Sequence, residues 1–205
     1  MKILALDLGS RTGWATSASG HITSGFHEFK PDRFEGGGMR YLKFKNWLNQ
    51  IQEHVRGVDL VMFEEVRNHS NPSKKRGGRS FNVDAAHAYG GFMAHLTAWC
   101  EAEKIPYQGV PVGTIKKHAT GKGNAGKDQM IQAIRKKGHY DLQDDNEADA
   151  LAILYYALDL GMGKPVQAPN GGVSRTRITG APTSISADRR AQDQTAQRKR
   201  VRVNL

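Results

Sequence analysis

Lys2-Ile3-Leu4-Ala5-Leu6-Asp7-Leu8-Gly9-Ser10-Arg11-Thr12-Gly13 decides the architecture of this chain. A short apolar run that stops at small and polar residues reads as a buried strand entering a turn. Working outward, Trp14 to Ser17 continues as a second strand, Ser19-Gly20 supplies a hairpin turn, and His21 to Phe29 returns as a third. The expected start is therefore an antiparallel meander of three strands. From Met39 to Val55, the residues Phe44, Trp47, Leu48, Ile51 and Val55 recur at spacings of three and four, which predicts one helical face packed on that sheet. Val58 to Phe63 is then a further buried strand, and Glu64-Glu65 ends it.

The next regular stretch is a helix from Val83 to Ala102, carried by Ala86, Tyr89, Met93, Leu96 and Cys100, followed by a fifth strand over Pro106 to Val110. Shorter helices are expected over Val112 to His118 and Lys127 to Lys136, separated by Gly121-Lys122-Gly123-Asn124. A last helix runs from Asp145 to Leu160, with Ala148, Leu151, Ala152, Leu154, Tyr155 and Leu158 on its apolar side. Strands alternating with helices in this way place the chain in the α/β class.

The 205 residues carry 30 Lys and Arg against 20 Asp and Glu, a net +10 that favours polyanionic partners. Much of that excess lies where no core forms. Residues 164–205 are rich in Gly, Pro, Ser, Thr and Gln, and nine basic residues against two acids leave them at +7 and the preceding part at +3. They are expected to form a disordered basic tail behind a domain spanning 1–163. The segment 67–80, with Arg67, Lys74, Lys75, Arg76 and Arg79 broken by Pro72, Gly77 and Gly78, is expected to be a basic loop, either solvated or in contact with phosphates. The lone cysteine, Cys100, excludes an internal disulfide and favours a reducing compartment. No apolar stretch approaches the ~20 residues of a membrane span, so a cytoplasmic protein without a membrane partner is expected.

Three acidic positions stand out. Asp7 sits inside an apolar strand, where an ionised carboxylate calls for a cation or several donors unless it lies at the strand end and caps the following turn. Glu64 and Glu65 point to opposite faces of their strand; if Leu60, Met62 and Glu64 share a face, Glu64 is the one that joins Asp7, the alternative being that both lie on an exposed strand end. The run Asp144-Asp145-Asn146-Glu147-Ala148-Asp149 suits the positive end of a helix dipole without further function. Asp149, however, lies a turn inside, next to Ala148, and shares its face with Asn146 and Asp145 but not with Glu147. Convergence of these acids would suit Mg²⁺, which prefers carboxylate oxygen. Two such ions about 4 Å apart would favour in-line displacement at a phosphodiester.

The segments Ile3 to Trp14, Phe63-Glu64-Glu65-Val66, Gly121 to Lys127 and Ala148-Asp149-Ala150-Leu151-Ala152-Ile153 together resemble the RuvC family of Holliday-junction resolvases, within the RNase H-like (retroviral integrase) superfamily. The resemblance covers roughly residues 1–160. It implies an RNase H-like fold with a mixed five-stranded sheet flanked by helices. It also implies that Asp7, Glu64 and Asp149 are catalytic metal ligands and that Lys127, and also Lys116, lie near the scissile phosphate. The family's acidic or histidine position three residues before the final Asp falls on Asn146, a weaker Mg²⁺ ligand, which Asp145 is placed to replace. The aromatic residue that better-known bacterial members carry after the Glu-x-Val motif is absent here, where Arg67-Asn68-His69 stands instead.

The expectation is thus a metal-dependent endodeoxyribonuclease that resolves four-way or related branched DNA. It would use two Mg²⁺ ions, with Mn²⁺ able to substitute, and act as a homodimer because a two-fold junction cut symmetrically needs two sites. Arg11, Arg67, Lys74, Lys75, Arg76, Arg79, Lys116 and Lys122 are the expected phosphate contacts. The compact basic format suits a phage or prophage enzyme in bacterial cytoplasm, and organelle import is compatible with the charge. Two rivals stay open: a nuclease of the same fold acting on flaps, forks or RNA–DNA hybrids, and a non-catalytic junction-binding protein in which Asn146 marks a decayed site.

Overall fold

The computed structural model describes residues 1–66, 83–142 and 144–162. The basic loop through Arg67, Lys74, Lys75, Arg76 and Arg79 and the basic tail lie outside the described residues. In chain order the elements are β1 (Ile3–Asp7), β2 (Arg11–Ala18), β3 (His21–Glu28), α1 (Met39–His54), β4 (Leu60–Glu65), α2 (Val83–Glu103), β5 (Tyr107–Pro111), α3 (Val112–Thr120), α4 (Lys127–Arg135) and α5 (Asp145–Ala157). A π-helical turn over Leu158–Met162 closes the series, so the last helix is shorter than its apolar pattern predicts.

One five-stranded sheet has the order β3-β2-β1-β4-β5. Strands β1, β2 and β3 pair antiparallel, while β4 lies parallel to β1 and β5 parallel to β4. The expected meander is therefore present, and its hairpin turns at Ser19 and Gly20, both with positive φ as a two-residue connection between twisted strands requires. Strand β2 starts earlier than its apolar residues indicate, at Arg11. This leaves only Leu8 to Ser10 for the turn, which Thr12 closes by donating from Oγ1 to the Gly9 carbonyl at 2.7 Å.

Alternation along the strands divides the core in two. Ile3 and Ala5 of β1, Ala15 of β2 and Met62 of β4 pack against α5, which is buried almost all round by Ala148, Ala150, Leu151, Ala152, Ile153, Leu154 and Ala157. Helices α3 and α4 cover its outer side through Ile115, Met130 and Ile134. The opposite face of the sheet carries an aromatic layer: Phe29 meets Phe44, Trp47 and Phe92, and Trp14 meets Trp47 edge-on at 6.3 Å between centroids. All three tryptophans are core residues, and Cys100 is buried with its thiol pushed up to about 12 by desolvation. Among the described residues no helix is long and apolar enough to cross a membrane.

Candidate active site

The two-residue period that puts Ala5 and Met62 against α5 puts Asp7 and Glu64 on the same face, one step further along adjacent parallel strands. Glu65 points the other way, as alternation predicts. Tyr89 of α2 fixes the end of β4. Its hydroxyl donates to the Glu64 carbonyl at 2.8 Å and accepts the Val66 N–H at 3.1 Å.

Helix α5 supplies the third acid. Asp144 caps it, accepting the Glu147 N–H at 3.1 Å, and its other oxygen is ion-paired with Arg11. Gly13, the cross-strand partner of Asp7, lies directly beneath the first turn; a Cβ there would sit 1.9 Å from the Asn146 carbonyl oxygen. Only a glycine lets the helix come this close to the sheet. Glu147 is buried and accepts from the Ser24 hydroxyl at 2.8 Å, a third tie between α5 and the meander. Sequence patterning missed Gly13, Ser24, Glu147 and Tyr89. Only Gly13 carried a signal, as a glycine inside a strand.

Asp7, Glu64 and Asp149 thus face one another between sheet and helix. Burial, then the charges of Glu64 and Asp149, raise the Asp7 carboxyl well above the usual carboxylate range. Burial and Asp149 push Glu64 up to about 7, against the opposing pull of Lys116. Desolvation pushes Asp149 up to about 6, again moderated by Lys116. Among the described residues none of the three accepts a hydrogen bond or ion pair, so the partner expected for Asp7 is not a protein cation. Nor do they close on one point: among the described residues no three His, Cys, Asp or Glu side chains stand close enough to share an ion. The donor set nevertheless fits a hard divalent cation, because it is all oxygen and its carboxylates repel one another more than Lys116 relieves them.

The remaining predicted residues fall into distinct places. Lys127, at the start of α4, is ion-paired with Asp145, which holds that carboxyl below its ordinary value. Asn146 Nδ2 donates weakly to Asp144 at 3.4 Å. Arg11 bridges Asp144 and Glu28 and lies over the Phe26 ring at 3.9 Å. Lys116 acts on Glu64 and Asp149, and Lys122 is exposed beyond α3.

The raised carboxyls carry a pH dependence whose sign follows from proton linkage. Folded protein binds more protons than unfolded between about pH 4 and 7, so stability from these groups is fully present at the acid end and falls as pH rises toward 7. In EDTA, wild type is expected to lose on the order of 2 kcal/mol more than Glu64→Gln between pH 5 and pH 8 in urea unfolding. Equal losses would mean that Glu64 titrates as a solvated acid.

No family model matches this chain, and no curated protein matches it. Solved structures do. RuvC of T. thermophilus in complex with a Holliday junction substrate superposes with a TM-score of 0.57 at 18% identity, covering 80% of this chain and 96% of that one. A second structure of Thermus thermophilus RuvC gives a TM-score of 0.57 at 16% identity over 78% and 97% of the two chains. Strand order, strand directions and this likeness agree: the chain has the RNase H-like fold of RuvC.

Proposed function

We propose that the chain is a divalent-metal-dependent endodeoxyribonuclease that cuts branched DNA, four-way junctions above all. The observation that carries this is the grouping of Asp7, Glu64 and Asp149 on two adjacent strands and the helix across them, with burial and mutual repulsion outweighing the pull of Lys116, and with no hydrogen bond or ion pair to any of the three among the described residues. Asp7, Glu64 and Asp149 would hold Mg²⁺, or Mn²⁺ in its place, with Asp145 or Asn146 completing the set. Bound metal supplies activation of water and stabilisation of the leaving oxygen in phosphodiester hydrolysis, most effectively as a pair of ions. The chain's own contribution is rigid placement. Arg11 and Asp144 anchor the start of α5, Gly13 sets its distance, and Tyr89 holds the Glu64 backbone.

Lys127, ion-paired with Asp145, would meet a phosphate of the substrate if Asp145 were drawn into the metal-holding set. Lys116, Lys122 and the basic segments outside the described residues would add salt-sensitive affinity for the backbone. Paired cuts across a two-fold junction would require a homodimer. The fold likeness to a protein solved in complex with a Holliday junction substrate supports this choice of substrate.

The test is cleavage of a synthetic four-way junction beside linear duplex, flap and RNA–DNA hybrid, in Mg²⁺, Mn²⁺ or EDTA. Paired symmetric nicks in the junction, dependent on metal, are the expected result. Preferential cutting of another substrate would keep the site and replace the substrate. One observation favours a second reading: the neutral Asn146 in an otherwise acidic set suits a protein that binds junctions without cutting them. Tight junction binding with no product in either metal would decide for it.

A further inference from the structure

Strand β3 runs parallel to β1, so the turn after it emerges at the same end of the sheet as Asp7 and Glu64. The link is close. Phe29 N donates to the Ser10 carbonyl at 2.7 Å, tying the start of the β3–α1 connection to the turn that follows Asp7. One strand, β2, lies between β1 and β3, so two inter-strand spacings, about 10 Å, separate them.

That connection is held firmly and yet exposes a phenylalanine. Asp32 N donates to Glu35 Oε2 at 2.8 Å, and Glu35 N returns to the Asp32 carbonyl at 3.0 Å. Lys43 of α1 braces it from below, reaching Glu35 at 2.7 Å, Asp32 at 3.2 Å and the Lys30 carbonyl at 3.2 Å. At the tip, Phe34 is 93% exposed, with the Arg33 guanidinium 5.5 Å from its ring centroid. The acids of the turn are taken up by Lys43, whereas Arg33 and Arg40 have no acidic partner among the described residues. An aromatic face beside guanidinium charge that no acid neutralises among the described residues, with Arg40 Nε donating only to the Gly37 carbonyl at 3.1 Å, suits a ligand that combines a flat ring with an anionic backbone. A folded protein partner would fit a broader apolar patch; here Arg33, Asp32 and Glu35 flank the ring in sequence.

We infer that Phe34 stacks on an unpaired base where DNA strands branch, with Arg33 and Arg40 on the adjoining phosphates. The inference rests on the proposed action at branched DNA and adds to it the group that senses strand opening. It places the aromatic contact on the β3–α1 turn.

The full chain, with Phe34→Ala and Phe34→Tyr variants, is mixed with a four-way junction carrying 2-aminopurine at the branch point. Wild type and Phe34→Tyr are expected to change the fluorescence of that base. Phe34→Ala is expected to lose the change and bind the junction roughly tenfold more weakly, with its affinity for linear duplex and its melting temperature unaltered. If wild type binds and cuts the junction and Phe34→Ala matches it in affinity and fluorescence, stacking is overturned while the nuclease reading stands. If wild type neither binds nor cuts branched DNA, that reading itself fails and the stacking role falls with it. Loss of self-association in Phe34→Ala with junction binding intact would assign the ring to a second copy of the chain and overturn the inference.

Discussion

Asp7→Asn is expected to slow junction cleavage in Mg²⁺ by roughly 10³-fold or more, equivalent to about 4 kcal/mol of transition-state stabilisation. The side chain keeps its shape and loses the one charge that β1 brings to the site. Its removal relieves Glu64 and Asp149 of a repelling neighbour, so the metal-free variant should melt no lower than wild type above pH 7. Calorimetry with Mn²⁺ supplies the independent measure: affinity is expected to fall at least tenfold as cleavage falls. Glu65→Gln is the control, since alternation turns that side chain to the other face of the sheet, and it should retain full activity. An Asp7→Asn protein that cuts at the wild-type rate would remove the carboxylate cluster from the chemistry altogether.

Gly13→Ala should unfold at a temperature roughly 10 °C below wild type, a loss of about 3 kcal/mol for a domain of this size. The added methyl would lie 1.9 Å from the Asn146 carbonyl oxygen and 2.3 Å from its carbon. Both are backbone atoms, so no side-chain rotation relieves the clash, and either α5 retreats or β2 bulges. Retreat carries Asp145, Asn146 and Asp149 away from Asp7, and a displacement near 1 Å can reduce turnover about 10²-fold beyond the folded fraction. Thermal melts and cleavage by the same sample measure the two effects. Gly36→Ala, where a Cβ meets open space, should change neither. A Gly13→Ala protein of wild-type stability would mean that the first turn of α5 is free to shift.

Local pattern was enough for most of the framework. The run from Ile3 to Leu8, the hairpin at Ser19-Gly20 and the three- and four-residue spacing in α1 each carry their own periodicity, and the elements follow it. Glu64 could be preferred over Glu65 because a strand's faces alternate with a period of two. The setting of Asp149 was harder to read, since acids at a helix start have a sufficient explanation in the dipole. What singles it out is the depth of α5 between sheet and outer helices. Contacts joining distant segments had no local trace: Ser24 with Glu147, Tyr89 with the end of β4 and Lys127 with Asp145 are separated by 123, 25 and 18 residues. Arg11 shows the same limit. Its charge suggested a phosphate contact, and only the fold reveals its ion pairs with Asp144 and Glu28.

The order of elements along the chain has a consequence for biosynthesis. Asp7 emerges among the first residues and Asp149 only after every strand and the four other helices have been made. Helix α5 is also the centre of the core on its face of the sheet, between the strands and helices α3 and α4, so nothing before it can finish packing on that face. A nascent chain therefore carries scattered acids and no assembled centre. On the proposed function, competence would arrive in one late step, when α5 docks, and a prematurely terminated product lacking that helix is expected to cut no DNA rather than to be partly active.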